Sequence, residues 1–374
     1  MRIGLDLRYL NDHFPGIGRY ALNLAQALVA YPHTFVCLYN PEPSNNRYPI
    51  HSLAANQNVE MVPVNISPFS LREQLDLPRL VSRLHLSLLH SPYYIKPYCK
   101  LACPSVVTIH DLIGHFYPKT LAPRARYTFH FLVWLAIQSA THLIAVSESG
   151  AHDLQAVYHI SKARVTVTPE AAAPHFSPQP PAAVAALRSR LKLPQRYLLT
   201  VGSNKPHKNR EHLILAWSQI EAQYQGVQLI IAGHYDPQYP QAQKLVEELD
   251  LSARVRFINN VTEVDLPTLY TGAEAFIFPS LYEGFGLPVL EAMACGTPVI
   301  CSQTSSLPEV AGDAALLVEP HDLPGLEAEM QALLNDPSRR QHLRKLGLQR
   351  AQTFTWQRTA ELTMRAYKLA YNGR

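Results

Sequence analysis

Residues 279–296 read PSLYEGFGLPVLEAMACG, and their types and spacing suit specific chemistry. Glu283 and Glu291 are two carboxylates with seven residues between them. Gly284, Phe285 and Gly286 place two glycines around one aromatic ring. Glycine lets a backbone approach a ligand closely and takes positive φ without steric cost. Pro288 suits the first turn of a helix, where its missing N–H costs nothing. A helix is predicted over 289–295, with Gly296 as its C-terminal cap. A glycine-rich loop feeding a helix N-terminus attracts anions, because free N–H groups and the helix dipole face the ligand. Carboxylates repel phosphate but accept hydrogen bonds from sugar hydroxyls. The combination points to a ligand carrying both groups, such as a nucleotide sugar. Either glutamate alone would read as a solvated surface side chain; the whole stretch does not.

The paired glutamates, set within FPSLYEGFGLPVLEAMACGTPVI, resemble the motif of the retaining glycosyltransferases of family 4, which have the GT-B fold. The resemblance implies an α/β architecture of two doubly wound Rossmann-like domains facing a cleft, with the donor mostly on the second. It implies that Glu291 accepts bonds from ribose hydroxyls. Glu283 would hold the sugar at the reacting centre, with the backbone of Gly284, Phe285, Gly286 and Leu287 completing the donor site.

A second stretch, residues 202–209 (GSNKPHKN), resembles the family's phosphate-binding loop. Lys208 matches its lysine. Ser203 stands where many members have arginine directly after the glycine, and His207 occupies another common arginine position. Both departures bear on diphosphate binding, with Lys205 as a partial substitute; Ser203 stays among the expected donor-binding positions. No Asp-x-Asp occurs in the sequence. No metal or other cofactor is therefore expected, and transfer is expected to be metal-independent and, by resemblance, retaining.

Two further positions follow from the first half of the chain. Residues 105–109 are a β-branched run ending at His110-Asp111. Ligands gather at the carboxyl ends of strands in open α/β sheets. Members of the family often carry a histidine here, near the donor sugar, which makes His110 a catalytic candidate. A capping or core histidine is the plainer reading, since the chain has 17 histidines. Gly16, Gly18 and Ala21 match a dinucleotide fingerprint, but the glycines lie well past the first strand. The next strand also ends in Asn40 where such a site wants an acid. By resemblance Gly16 and Gly18 instead shape a loop near donor or acceptor.

Length and composition bound these readings. A chain of 374 residues exceeds one typical core and predicts two domains. Hydrophobic content of 47% and charged content of 17% describe a globular protein. A net charge of +4 is too mild to argue for nucleic acid, though a local basic patch could meet a membrane surface. Five cysteines with no paired zinc spacing fit a reducing cytoplasm better than a disulfide framework. No signal peptide and no apolar run of about 18 residues is evident, so a cytoplasmic protein is expected, at most peripheral to the inner face of the membrane.

The organisation repeats strand and helix. Strands are predicted at 3–7, 35–39, 59–64, 86–90, 105–109, 143–146 and 165–168. Helices are predicted at 19–30, 71–84 (broken or kinked at Pro78) and 127–140, and residues 41–68 are otherwise loops. Residues 169–181 carry five prolines among alanines and read as a linker. Beyond it, strands are predicted at 197–201, 228–232, 255–258, 275–278, 298–301 and 315–318. Between them lie helices at 182–191, 241–249, from 266 and from 305. Helices over 323–334, 339–352 and 355–371 close the chain. The alternation implies parallel sheets. The expected domains are 1–170 on the acceptor side, with 356–374 crossing back by resemblance, and 171–355 for the nucleotide sugar.

The sequence thus points to a hexosyltransferase of polysaccharide synthesis, with GDP-mannose as the first donor candidate and UDP-sugars open. The acceptor would be a glycan or a lipid-linked glycan, met by Arg72, Arg79, Arg83, Arg124 and Arg126 unless these form a solvated face. A nucleotide-sugar epimerase on the same fold would need an acid/base pair that is not evident. A weak non-enzymatic paralogue acting as a partner subunit would account for Ser203 and His207.

Overall fold

A computed structural model describes residues 1–10, 15–41, 49–118, 123–259 and 261–373. The chain divides into two compact units. One comprises Met1–Glu170 with Thr355–Arg374, and the other Ala171–Phe354.

In chain order the first unit holds β1 (Arg2–Asp6), α1 (Pro15–Leu28), β2 (Thr34–Tyr39), β3 (Val59–Pro63), α2 (Leu71–Arg83), β4 (Leu88–Ser91), β5 (Ser105–Ile109), α3 (Ile113–Phe116), α4 (Pro123–Ser139), β6 (His142–Ala145), α5 (Glu148–Tyr158) and β7 (Val165–Val167). Among the described residues these strands form a seven-stranded parallel sheet of order β3-β2-β1-β4-β5-β6-β7. Its central strands are apolar runs, because a parallel sheet with helices on both faces buries every side chain. Phe35 to Leu38, Leu88–Leu89 and Val106–Val107 are all fully buried.

The second unit holds α6 (Pro181–Leu191), β8 (Arg196–Val201), α7 (Arg210–Ile220), β9 (Val227–Ala232), α8 (Gln241–Glu248), β10 (Val255–Ile258), α9 (Leu266–Thr271), β11 (Ala275–Phe278), α10 (Leu287–Ala294), β12 (Val299–Ser302), α11 (Leu307–Ala311), β13 (Ala315–Val318), α12 (Leu323–Asn335) and α13 (Pro337–Gln352). Its six-stranded parallel sheet has the order β10-β9-β8-β11-β12-β13. The order reverses between β8 and β11, the switch point where such sheets bind ligands. One face of this sheet packs around Trp217, Leu229, Ile277, Ile300 and Met330, all buried.

The last helix, α14 (Trp356–Asn372), packs in the first unit. The Tyr367 hydroxyl meets His90 Nδ1 at 2.7 Å, and His90 Nε2 meets Thr108 Oγ1 at 2.9 Å. Thr359 donates to the carbonyl of Pro169 at 2.6 Å. Burial, followed by the charge of His110, lowers the His90 pKa to about 3, so this ring is a neutral link between β4, β5 and α14.

Two local expectations are corrected. Helix α1 starts at Pro15, so Gly16 and Gly18 occupy its first turn and not a loop. Proline preset for the first helical position nucleates the turn, and helical φ is open to glycine. Helix α2 runs unbroken through Pro78, because Leu77 and Val81 on either side anchor it in one core. Of the loops expected across 41–68, residues 42–48 lie outside the described residues. No helix among the described residues is long and apolar enough to cross a membrane.

Candidate active site

In the second unit the site grows from the carboxyl ends of β8 and β11, which are neighbours in the sheet. After β8 the backbone turns at Gly202 (φ 155°) against Gly233 (φ 129°). A Cβ on Gly233 would fall 1.9 Å from the Gly202 carbonyl oxygen, so only glycine allows this approach. The buried Arg210 donates to the same carbonyl at 2.5 Å. Asn204 ties the loop to residues 236–239 through the carbonyls of Asp236 and Tyr239. The His207 carbonyl accepts from the Leu281 N–H at 2.8 Å, which joins this loop to the one after β11.

That junction puts Lys208 beside Glu283. Lys208 Nζ lies 2.5 Å from Glu283 Oε1, and both side chains are mostly buried. The ammonium also sits 5.0 Å from the centroid of the Phe278 ring. Glu283 is held from behind. Its N–H donates to Ser305 Oγ at 3.0 Å, and the buried Ser306 hydroxyl donates to the carbonyls of Glu283 and Phe285. Phe285 packs edge-on against Phe354.

The chain then enters α10 through Gly286, whose φ of 105° is disfavoured for other residues. Helix α10 begins at Leu287, two residues before the predicted start, with Pro288 in its first turn. Glu291 is one turn in, buried, and accepts from the Tyr270 hydroxyl at 3.1 Å. Ser203 and Lys205 lie in the same β8 loop, both half-buried. His207 is buried. Burial, then the charges of Lys208 and Lys205, lowers its pKa to about 2, so it adds no positive charge to the loop.

In the first unit His110 lies at the carboxyl end of β5. Its Nδ1 is 3.0 Å from Glu170 Oε1 and its Nε2 is 2.8 Å from the Pro92 carbonyl oxygen. The Pro92 carbonyl and an ionised Glu170 are both acceptors, an arrangement that favours the charged imidazole. Burial pushes its pKa down, but the hydrogen bond and charge of Glu170, with the Pro92 carbonyl, carry it above the usual histidine value. Tyr20, on the helix that opens with Gly16 and Gly18, packs edge-on against His110 at 4.7 Å. The start of α1 and the end of β5 are therefore adjacent.

The structure thus gathers Lys208, Glu283, the loop to Leu287 and Glu291 in one unit, and Gly16, Gly18 and His110 in the other. Sequence reasoning missed Glu170, Tyr20, Ser305, Ser306 and Tyr270. Glu170 had one visible signal, as the lone acid in a stretch of proline and alanine. Arg72, Arg79 and Arg83 are exposed on α2, and Arg72 and Arg79 pair with Asp76. The side chain of Arg124 lies outside what is described.

Both units match known protein families. Residues 15–173 match Glycosyltransferase Family 4, and residues 187–350 match Glycosyl transferases group 1. The chain is 33% identical over 271 residues to O-antigen chain mannosyltransferase B of Escherichia coli, covering 71% of this chain and 70% of that one. It is 30% identical over 269 residues to the serotype-specific mannosyltransferase WbdA of Escherichia coli, which spans 70% of this chain but 33% of WbdA. Sucrose-phosphate synthase from Thermosynechococcus elongatus superposes with a TM-score of 0.77 and 25% identity over the whole of both chains. The fold and these matches define a glycosyltransferase with the GT-B fold. The chain belongs to glycosyltransferase family 4.

Proposed function

We propose that this enzyme transfers mannose from GDP-mannose to a glycan or lipid-linked acceptor, with retention at the anomeric carbon and without a metal ion. The observation that carries the reading is the Lys208–Glu283 pair beside the N-terminus of α10. Lys208, with Lys205 and the start of α10, stabilises the departing diphosphate, because preorganised donors aimed at developing charge act most strongly in a desolvated site. Glu283 and the backbone from Gly284 to Leu287 hold the sugar, and Ser203 lines the phosphates. Glu291 takes the ribose hydroxyls. His110 presents its positive charge to the reacting sugar, and Gly16 and Gly18 line the approach. Arg72, Arg79, Arg83, Arg124 and Arg126 contact the acceptor. The choice of mannose is supported by the relatives, whose names specify mannosyl transfer. The enzyme works in the cytoplasm, peripheral to the inner face of the membrane that holds a lipid-linked acceptor.

The test is transfer from GDP-mannose, UDP-glucose and ADP-glucose to a glycan acceptor, with the product anomer read by NMR. Transfer from GDP-mannose alone, with retention, is the expected result. Transfer only from a UDP-sugar would overturn the donor, and an inverted product would overturn the stereochemistry.

A further inference from the structure

The loop after β8 is short of positive charge for a phosphate-binding loop. Ser203 is neutral, and burial keeps His207 neutral. The Lys208 ammonium already meets the Glu283 carboxylate at 2.5 Å, so that pair has no net charge. Within residues 202–209 this leaves the half-buried Lys205 as the uncompensated cation.

A further cation lies directly behind this loop. Arg210 opens α7 and is 5% exposed. Its Nη2 donates to the carbonyl of Gly202 at 2.5 Å and reaches that of Ala232 at 3.5 Å, at the carboxyl ends of β8 and β9. Among the described residues its hydrogen bonds go to carbonyl oxygens and to no carboxylate. Burial, opposed more weakly by the charge of Glu211, pushes its pKa down to about 10, so the guanidinium stays charged at neutral pH. Buried charges are ordinarily paired, because an unpaired one is costly to desolvate. A cation in the first turn of a helix also opposes the helix dipole. Capping two carbonyls needs only an amide, so that task alone does not call for a charge. Both costs fall when an anion comes near. Gly202 sets Arg210 close to Lys208: its carbonyl takes the guanidinium, and a Cβ on the same residue would fall 3.6 Å from Lys208 Cε.

We propose that Arg210 stands in for the arginines absent at positions 203 and 207, holding a positive potential at the donor diphosphate from behind Gly202. It is a positioning residue: it acts through the Gly202 backbone and by its field, while Lys208 and the start of α10 meet the phosphates. A fixed buried charge is not screened as an exposed one is, and it costs no side-chain ordering when the ligand arrives. The effect grows with the charge of the ligand, so Arg210 favours a nucleoside diphosphate over a monophosphate, and a monophosphate over the bare nucleoside.

The inference rests on the nucleotide-sugar reading above and adds a residue to it. Calorimetry on the full chain compares the diphosphate, monophosphate and nucleoside of guanosine, and the same series of uridine. Arg210→Gln keeps an N–H for the Gly202 carbonyl and removes the charge. It is expected to weaken diphosphate binding about tenfold and monophosphate binding less, with the nucleoside unchanged. The double variant Ser203→Arg/Arg210→Gln restores a charge without restoring the buried guanidinium, and is expected to recover most of the diphosphate affinity. Arg210→Lys gives a separate reading should the glutamine variant fail to fold. A buried lysine gives up its proton far more readily than arginine, so diphosphate affinity in this variant is expected to fall from about pH 7 to about pH 9 while that of the wild type stays level. Equal losses across the three ligands, no recovery in the double variant, or parallel pH profiles would leave Arg210 a purely structural role and overturn the proposal. Such a result leaves the donor reading standing, whereas no diphosphate binding in either series would overturn both.

Discussion

His110 and Glu170 lie 60 residues apart in sequence, yet their side chains meet at 3.0 Å. With the Pro92 carbonyl at the other nitrogen, both neighbours favour the charged imidazole. His110→Ala is expected to lower turnover more than donor affinity. Glu170→Gln keeps the size of the acceptor but removes its charge. A hydrogen bond between charged groups contributes about 1.5–3 kcal/mol, so turnover is expected to fall roughly ten- to hundredfold. The pH dependence has a definite sign. A histidine whose folded pKa is raised stabilises the fold fully below its unfolded value of about 6.5, and this stabilisation is lost as pH rises through the folded value. The melting temperature of the wild type should therefore fall relative to Glu170→Gln between these two values. Parallel curves for the two proteins would remove Glu170 from this role.

Lys208 and Glu283 satisfy each other. In the proposed reading, a bound diphosphate draws the ammonium toward itself and leaves Glu283 to the sugar. Lys208→Ala is thus expected to lower kcat by about 10²–10³-fold, the usual cost of removing one preorganised donor. Lys208→Arg should restore part of it, and Glu283→Gln should raise donor affinity for free GDP while lowering kcat. Steady-state kinetics with calorimetry of GDP binding separates these effects. Equal GDP affinity in wild type and Lys208→Ala would count against the diphosphate role.

Glu291 already accepts from Tyr270. Removing it takes an acceptor from the ribose and also leaves the buried Tyr270 hydroxyl without this partner. Glu291→Ala is expected to weaken nucleotide binding by roughly 1.5–3 kcal/mol. Tyr270→Phe, which removes only the internal bond, should change stability and leave nucleotide affinity within a few-fold. Calorimetry that finds the two variants equally impaired would make Glu291 a structural residue.

The strand positions, the two parallel sheets and the Lys208, Glu283 and Glu291 candidates could be read from the sequence because each rests on a local pattern, whereas the strand order could not. Apolar runs such as Ala275–Phe278 and a glycine loop before Pro288 specify strand, turn and helix within a few residues. Glu170 could not be read, since its role depends on β5 and the chain after β7 converging, and nothing local specifies that. Ser305 and Ser306 looked like the opening of a helix, yet α11 starts at Leu307 and the two hydroxyls serve the loop after β11. Their use is set by packing between elements. His207 stood only as a departure from a common arginine position; burial decides its charge, and composition does not reveal burial.

A departing nucleoside diphosphate develops negative charge that some group must stabilise. Many glycosyltransferases use a divalent cation held by an Asp-x-Asp motif, and this sequence contains none. In the proposed reading the groups that do so are Lys208, Lys205 and the first turn of α10. Of these, Lys208 is the best positioned, because the β8 loop is pinned at Gly202 by Arg210 and at His207 by Leu281. His207 contributes no charge, so the loop relies on its lysines. Transfer is therefore expected to persist in excess EDTA at close to the untreated rate. If the lysine carries the load, added Mg²⁺ should not rescue Lys208→Ala, since no cluster of three or more metal-ligating side chains occurs among the described residues. Activity abolished by EDTA and restored by Mg²⁺ or Mn²⁺ would sink the metal-free reading, whichever sugar is transferred.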